Sequence, residues 1–565
     1  MPGTARAAAA GASGLMLASA FPPMSSTEAA WLGLVPLLLA ARYSRPAVSF
    51  RWGWISGMVF WLMSLSWMLR LCRTGGPAAL VIPGWILLSA YCALYTGAFC
   101  MLVCSVWRRL APGRMKTEAG EDPEDRTEKK SFFGRLPGPG GLAVVAVTPL
   151  IWVGLEYLRS SLFTGFPWNA LGVSQYRNLA LIQNAEWGGV YAVSALVVLV
   201  NAALAATVLR FVEVYVYNRP ARFQVELLAG LAVFLACWAW GVRTVRGLSD
   251  EISDPGVEVA AVQPAVPQLK KWPEGYSSFI FDRLRILTEY AAAAGPDLVV
   301  WPETAVPFPV KSDPQTAEFA AGLAGLGSPI LAGSLEETER SGAAYFNSSV
   351  LVDERGRFAQ TYRKRHLVPF GEYIPFEKYI PFLSGLAPLG FSCEAGSEAT
   401  VFRISSGHGG RTAFFSVLIC FEDVFSPLAR EGVLNGARFL VNQTNDAWFD
   451  GSSGAVQHMA HCVFRCVENR VPAVRAANTG VTCFIDRTGR IQGRRRLKRS
   501  GWGMGEARFE KSLVAIDEEK SFTAYTRYGD ITFALPCGLG CLAALGVAAV
   551  RRMKAAQCQK FHENG

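Results

Sequence analysis

The chain has 565 residues, of which 51% are hydrophobic, with a mean hydropathy of +0.24 and a formal net charge of +10. That composition excludes an ordinary soluble enzyme, and the length allows several domains. The positive charge does not mark a nucleic-acid binder, because no basic stripe interleaved with aromatics occurs in the less apolar part of the chain. It fits a membrane topology and attraction to anionic headgroups.

The apolar residues are segregated. They crowd residues 1–245 and return at 530–550, whereas 246–529 reads as a globular sequence large enough for its own core. Runs of spanning length fall near 8–24, 26–42, 52–70, 79–107, 142–158, 188–210, 224–243 and 530–550. The expected organisation is a multi-pass α-helical membrane domain over 1–245 with seven spans, a catalytic domain over 246–529, and an eighth span with a cytoplasmic tail over 530–565. Arg6 and the run ending Ala18-Ser19-Ala20 imitate a signal peptide, but further spans follow at once.

Basic clusters at 42–51, 108–135, 210–222 and 551–554 all fall on one side if the chain crosses eight times. That side is cytoplasmic by the positive-inside rule, which puts both termini inside and 246–529 outside. Arg70 and Arg73 fit poorly, being basic on the outer side. The polar loop 108–141 carries no chemistry that can be read from its residues. Glu156, late in the fifth span, is an ionisable group near the membrane boundary and so a functional candidate. The segment Phe163–Asn169 is expected at headgroup level as an interfacial aromatic loop, or else as part of a groove for lipid entry.

In the outer domain, Val257–Gln263 alternates like a strand and a helix is expected from about Ser277 to Ala294. Asp297–Val300 is a buried strand that stops at Pro302 and leaves Glu303 at its C-terminal end. Strand signals recur at 329–333, 346–352, 415–419, 438–442 and 480–485, with a helix near 455–470. Strands alternating with helices predict a layered α/β or α+β domain, whose sites gather at the carboxyl ends of strands. Cys420 has the same placement as Glu303, although on local sequence alone a free cysteine is more often a buried small hydrophobe. The basic run Arg363-Lys364-Arg365 leads into an apolar Pro/Gly-rich segment containing Glu372, an odd setting for plain surface. The thirteen cysteines form no disulfide framework. Cys462 with Cys466, and His458 with His461, are spaced for helix packing and lack further ligands for a metal.

Three ordered motifs carry a resemblance. Trp301-Pro302-Glu303-Thr304, then Tyr362 to Glu372 with Lys364, then Ile419-Cys420-Phe421-Glu422 are similar to the Glu–Lys–Cys signature of the nitrilase superfamily. The eight-span body, Phe166-Pro167-Trp168-Asn169 and the segment Asn442–Phe449 narrow it to a resemblance to the apolipoprotein N-acyltransferases of bacterial inner membranes. This implies an extracytoplasmic αββα-sandwich domain in the periplasm. It also implies transfer of an acyl chain from a membrane phospholipid, typically phosphatidylethanolamine, through a Cys420 thioester to the N-terminal amine of a diacylglyceryl apolipoprotein. By position, Glu303 would be the general base, Cys420 the nucleophile and Lys364 the oxyanion partner. Glu372 and Glu422 would support them, orienting Lys364 or the substrate, while Trp272, Phe421 and Trp448 would line or gate the acyl and lipoprotein pocket. Phe421 stands where the family pattern has tyrosine. No metal or cofactor and no nucleic-acid partner is implied, and a monomer is expected. A membrane-tethered amidase using water as acceptor would need the same triad but not eight spans. A transporter is disfavoured, since the spans show neither repeats nor internal charge pairs.

Overall fold

The structure, a computed structural model, describes residues 2–42, 44–110, 139–216, 223–250, 256–338, 344–375, 392–405, 412–492, 505–516, 521–540 and 546. The N-terminal part is helical: α1 Gly3–Ser19, α2 Thr27–Leu32, α3 Val35–Arg42, α4 Pro46–Ser64, α5 Ala78–Leu110, α6 Pro139–Ser161, α7 Leu179–Ile182, α8 Ala185–Tyr215 and α9 Val225–Asp250. Among the described residues, five segments are long and apolar enough to cross a membrane: α4 with the turn that extends it to Arg73, α5, α6, α8 and α9. They match five of the eight expected spans. The expected span 8–24 ends early, because α1 stops at Ser19 ahead of Pro22-Pro23. Its 17 residues rise about 25 Å at 1.5 Å each, at the lower limit for crossing a bilayer's hydrocarbon core. The expected span 26–42 is divided into α2 and α3 around Gly33. The eighth begins as helix at 534–540, and most of its remainder lies outside the described residues, as does most of the polar loop 108–141.

The second part alternates strands and helices: β1 Gly256–Gln263, α10 Ser277–Ala293, β2 Leu298–Val300, α11 Pro314–Ala324, β3 Ile330–Glu337, β4 Ala344–Val352, β5 Phe358–Arg363, β6 Ser392–Cys393, β7 Val401–Ser405, β8 Thr412–Ile419, α12 Ser426–Leu434, β9 Phe439–Thr444, α13 Ser453–Asn469, β10 Ala473–Ala477, β11 Cys483–Ile485, β12 Ile491–Gln492, β13 Arg508–Ala515 and α14 Ala524–Tyr528. One sheet has the order β13-β1-β2-β3-β4-β5, with β6 beside β4; the other has β12-β11-β10-β9-β8-β7. The centres, β1-β2-β3 and β8-β9-β10, are parallel. Parallel strands are covered on both faces, which is why Leu298-Val299-Val300 and Phe439-Leu440-Val441 are unbroken apolar runs.

The period-two alternation of each strand divides the core into layers. Val257, Val259 and Ala261 of β1 meet Val417 and Ile419 of β8 between the sheets. Ala260 and Val262 face the other way, onto α10 and α11. Leu418 and Leu440 face α12 and α13, and there the core does not end: it runs on into the membrane helices as one cluster. The domain is an αββα sandwich whose second helical layer is also the roof of the membrane body.

α13 is the shared element, buried from Gly454 to Asn469 although polar along much of its length. Its polar groups are spent across the seam. Gln457 accepts from Trp168 Nε1 at 2.9 Å and donates to the carbonyls of Pro22 and Ser64 at 2.9 and 3.1 Å. Glu468 accepts the Val190 N–H at 3.0 Å. That N–H is free because α8 breaks at Gly188-Gly189, where Gly189 adopts φ +65°, ψ −163°, a region open essentially to glycine alone.

Candidate active site

β2 delivers Glu303 and β8 delivers Cys420 to the same edge of the paired sheets, and Lys364 follows directly on β5. The two sheets are tied under the site by Gln443, whose amide donates to the carbonyls of Trp301 (2.6 Å) and Leu331 (3.1 Å). β3 runs so close to Glu303 that a Cβ on Gly333 would sit 2.1 Å from the Pro302 carbonyl oxygen, so only glycine fits there.

Cys420 has a left-handed backbone, φ +53°, at the first residue of a 3-10 turn, Cys420–Val424. For a non-glycine residue this costs about 1–2 kcal/mol. Two donors hold it: Asn442 Nδ2 at 3.1 Å and the His458 ring Nε2 at 3.1 Å, both on the Cys420 carbonyl oxygen. Burial pushes the thiol well above its ordinary value, Glu303 pushes it further, and Lys364 and a hydrogen bond with the Thr444 side chain oppose this. The resting sulfur is therefore protonated and needs a base.

Glu303 is buried and each of its oxygens accepts one hydrogen bond, Oε1 from Asn347 Nδ2 (2.8 Å) and Oε2 from the Asn445 N–H (2.9 Å). Lys364 Nζ lies 3.7 Å from Glu303 Oε1 and 2.8 Å from Glu372 Oε2. Burial alone would pull the Lys364 ammonium down; Glu372 and Glu303 outweigh it and hold the group above the ordinary lysine value. Lys364 is thus a fixed cation. Asn347 Nδ2 also donates to Glu372 (2.8 Å), so a single amide orients both carboxylates.

The structure brings together Glu303, Lys364, Cys420 and Glu372. Glu422 is placed differently. Its carboxylate takes the Tyr362 hydroxyl (2.9 Å) and the N–H groups of Arg365 (2.7 Å), His366 (3.0 Å) and Ile419 (2.7 Å). It braces the loop bearing Lys364 against the strand bearing Cys420, and its hydrogen bonds are not to the Lys364 ammonium. Phe421 stacks on Trp168 with ring centroids 6.0 Å apart. Trp272 is half-buried beside the Lys271 ammonium, 5.8 Å from it. Trp448 is half-buried at the seam, its carbonyl accepting from the Thr74 hydroxyl of the membrane part (3.2 Å).

The aromatic loop is not simply at headgroup level. Phe163 is exposed, but Trp168 is fully buried, packed on Phe421, His458 and His461, and the Asn169 amide N–H donates to His461 Nε2 (3.3 Å). Glu156, the boundary acid, is buried too and accepts the Leu171 N–H at 2.8 Å.

Residues that the motifs did not reveal complete the site. Arg475 joins Asp423 (2.8 Å) and Asp446 (2.9 Å), and His458 lies 3.0 and 2.9 Å from the same two carboxylates. Burial and the neighbouring Arg475 charge both act to lower the His458 imidazolium, yet Asp423 and Asp446 raise it to about 9. Lys271 is buried and its Nζ donates to the Glu303 carbonyl oxygen at 3.0 Å. Burial lowers it to about 8 against the pull of Glu303 and Cys420. The second lysine of a Lys270-Lys271 pair after a proline-rich loop and a histidine within a helix give no signal in sequence beyond their identity.

Fold and apolar helices together define a membrane-embedded enzyme of the carbon–nitrogen hydrolase class. Residues 258–506 match the carbon-nitrogen hydrolase family model, and residues 13–203 match the apolipoprotein N-acyltransferase N-terminal domain. Among curated proteins, the apolipoprotein N-acyltransferase of Geobacter metallireducens is 35% identical over 96% of this chain and 94% of its own. Those of Brucella melitensis biotype 1 (35%, 64% of this chain, 67% of its own) and Allorhizobium ampelinum (30%, 89% of each) are also similar. The chain belongs to the apolipoprotein N-acyltransferase family.

Proposed function

We propose that this acyltransferase moves a fatty acyl chain from a membrane phospholipid, phosphatidylethanolamine being the expected donor, to the N-terminal amine of a diacylglyceryl-cysteine apolipoprotein. The observation that carries the mechanism is the meeting of a protonated, partly buried thiol with a fixed cation and an oriented carboxylate. Glu303 takes the Cys420 proton as sulfur attacks the ester carbonyl. The developing oxyanion is held by Lys364 and by the backbone N–H of Phe421. Collapse breaks the ester C–O bond, Glu303 returns the proton to the leaving lysophospholipid alkoxide, and the acyl chain stays as a thioester. The acceptor amine attacks that thioester, Glu303 takes its proton, the C–S bond breaks and sulfur recovers a proton. An amide is left. The apolar shell formed by Trp168, Phe421 and Phe425 keeps water from the thioester between the two steps.

The topology that goes with this reading has eight crossings, both termini in the cytoplasm and the sandwich on the periplasmic side of a bacterial inner membrane, in a monomer. The basic clusters support it. Incubation with phospholipid should add one acyl mass to Cys420 and to no other residue. Cys420→Ala, Glu303→Ala and Lys364→Ala should each abolish the adduct. An adduct that survives Cys420→Ala overturns the assignment. Release of free fatty acid with no acylation of a diacylated lipopeptide would instead identify a hydrolase.

A further inference from the structure

Lys364 stands between two buried carboxylates and is not shared equally. Its Nζ donates to Glu372 Oε1 at 2.9 Å and lies 2.8 Å from Glu372 Oε2. Glu303 Oε1 is 3.7 Å away, beyond hydrogen-bond reach. Coulomb attraction alone would close that gap, since an ammonium and a carboxylate attract strongly where water is absent. Asn347 is the group that occupies it.

Asn347 lies on β4, one step beyond the paired Ser348 and Arg363 of β4 and β5, and its carbonyl accepts the Lys364 N–H at 2.8 Å. Its side chain is buried, and Nδ2 donates to Glu303 Oε1 and to Glu372 Oε1, each at 2.8 Å. Acceptors on the two hydrogens of one amide stand about 5 Å apart. Both partners are carboxylate oxygens, so the network fixes the amide with its nitrogen toward them. Oδ1 then points away, buried and without a hydrogen bond among the described residues. An acceptor left so lowers stability. Packing therefore does not account for an asparagine here, whereas its two donors do.

The result is a division of partners. Glu303 is oriented by neutral donors, Asn347 Nδ2 on Oε1 and the Asn445 N–H on Oε2 at 2.9 Å. Glu372 holds the cation and is itself held by the Val368 N–H at 2.8 Å. With both Glu372 oxygens on the ammonium, at least one of its three N–H donors is left over. Drawn onto Glu303, that donor would be lost to an oxyanion. The ion pair would also favour the anionic carboxylate and weaken it as a base.

We propose that Asn347 is a positioning residue that keeps the Lys364 ammonium off Glu303, so that the carboxylate stays a base and one N–H stays free for the tetrahedral oxyanion. The assignment rests on the reading of Glu303, Lys364 and Cys420 as the acylating triad.

The test uses the full-length protein in detergent micelles containing phosphatidylethanolamine. The rate of acyl-Cys420 formation is followed by intact mass spectrometry across the acid side of the pH profile. Asn347→Ala should lower kcat about a hundredfold, the weight of one oxyanion donor, with KM little changed. Its acid limb should move down by about one pH unit, because Lys364 closes on Glu303. Asn347→Asp keeps the shape but adds a third anion, and its acid limb should move up by about one pH unit. The other titratable groups that face Glu303, namely Lys271, Glu372, Cys393 and Cys420, are the same in all three proteins. A packing role would slow both variants at every pH and leave the limb in place. If Asn347→Ala yields no folded protein, the direction of the Asn347→Asp limb decides. A limb that stays put, or moves the opposite way, in a folded variant overturns the role of Asn347 and leaves the triad standing. A wild type that forms no acyl-Cys420 overturns both.

Discussion

His458 shows how much a single side chain can do without meeting the substrate. It holds the carbonyl of Cys420, whose backbone is strained, and two buried carboxylates flank it and favour its charged form. A group raised in the folded state stabilises fully below its unfolded value, near 6.5, and loses that contribution as pH rises through about 9. His458→Gln should therefore abolish a fall in stability between pH 6.5 and 9, a difference on the order of 3 kcal/mol. Thermal inactivation midpoints at the two pH values measure it, and an unchanged slope would rule the role out. Lys271 makes a different prediction. Its ammonium is lost as pH rises through about 8, so Cys420 acylation by the wild type should decline above that pH. Lys271→Met should be slower near neutrality, by roughly tenfold if one charged hydrogen bond is lost, and should lack the decline. A purely structural lysine would slow the reaction at every pH and leave the limb in place.

Legibility follows the same division between local and assembled features. Glu303 and Cys420 could be found because central parallel strands are apolar runs, and a polar residue just past such a run marks a strand end. Lys364 stood out only against the oddness of its setting. His458, Asp446 and Arg475 were invisible as a set, because they sit on a helix, a turn and a strand, and only the fold makes them one cluster. His458 in particular reads as helix packing, since nothing in a helical stretch reveals that a strand carbonyl waits beside it. Trp168 was misplaced for a related reason. An aromatic following a span looks interfacial until another domain is known to cover it.

At the level of elements, the break in α8 is the clearest case of local cost repaid by assembly. Gly188 and Gly189 interrupt an otherwise apolar spanning helix and free one N–H for Glu468. A Cβ at Gly189 would lie 2.8 Å from the Tyr525 ring, and one at Gly188 would lie 2.5 Å from Phe533. Gly189→Ala should cost about 1–3 kcal/mol from the backbone alone, with the ring contact added. The readout is the thermal midpoint and the yield of folded protein; an alanine variant as stable as the parent would show that α8 can rebuild itself here. The expected spans 8–24 and 26–42 differ from the helices at their bounds for a similar reason, since hydropathy counts apolar residues and does not see where Pro22-Pro23 or Gly33 interrupts the helix.

On the scale of the molecule, the catalytic domain is not an appendage. α12 and α13 complete the sandwich on one face and bury Val456, Met459 and Val463 in the same core as the membrane helices on the other. Residues 246–529 expressed alone should expose that face and aggregate, while the full chain stays monodisperse in detergent; light scattering separates the outcomes. A soluble, folded fragment would mean that the two halves are joined less intimately than their packing indicates.

The common wall has one more effect. With α13 wedged between both halves, the Cys420 sulfur is kept at a constant height relative to the apolar helices. In the proposed reaction, a tail of unusual length must then be accommodated by how far the lipid rises or sinks. Which of two ester positions meets the sulfur becomes, on that proposal, a matter of fixed elevation.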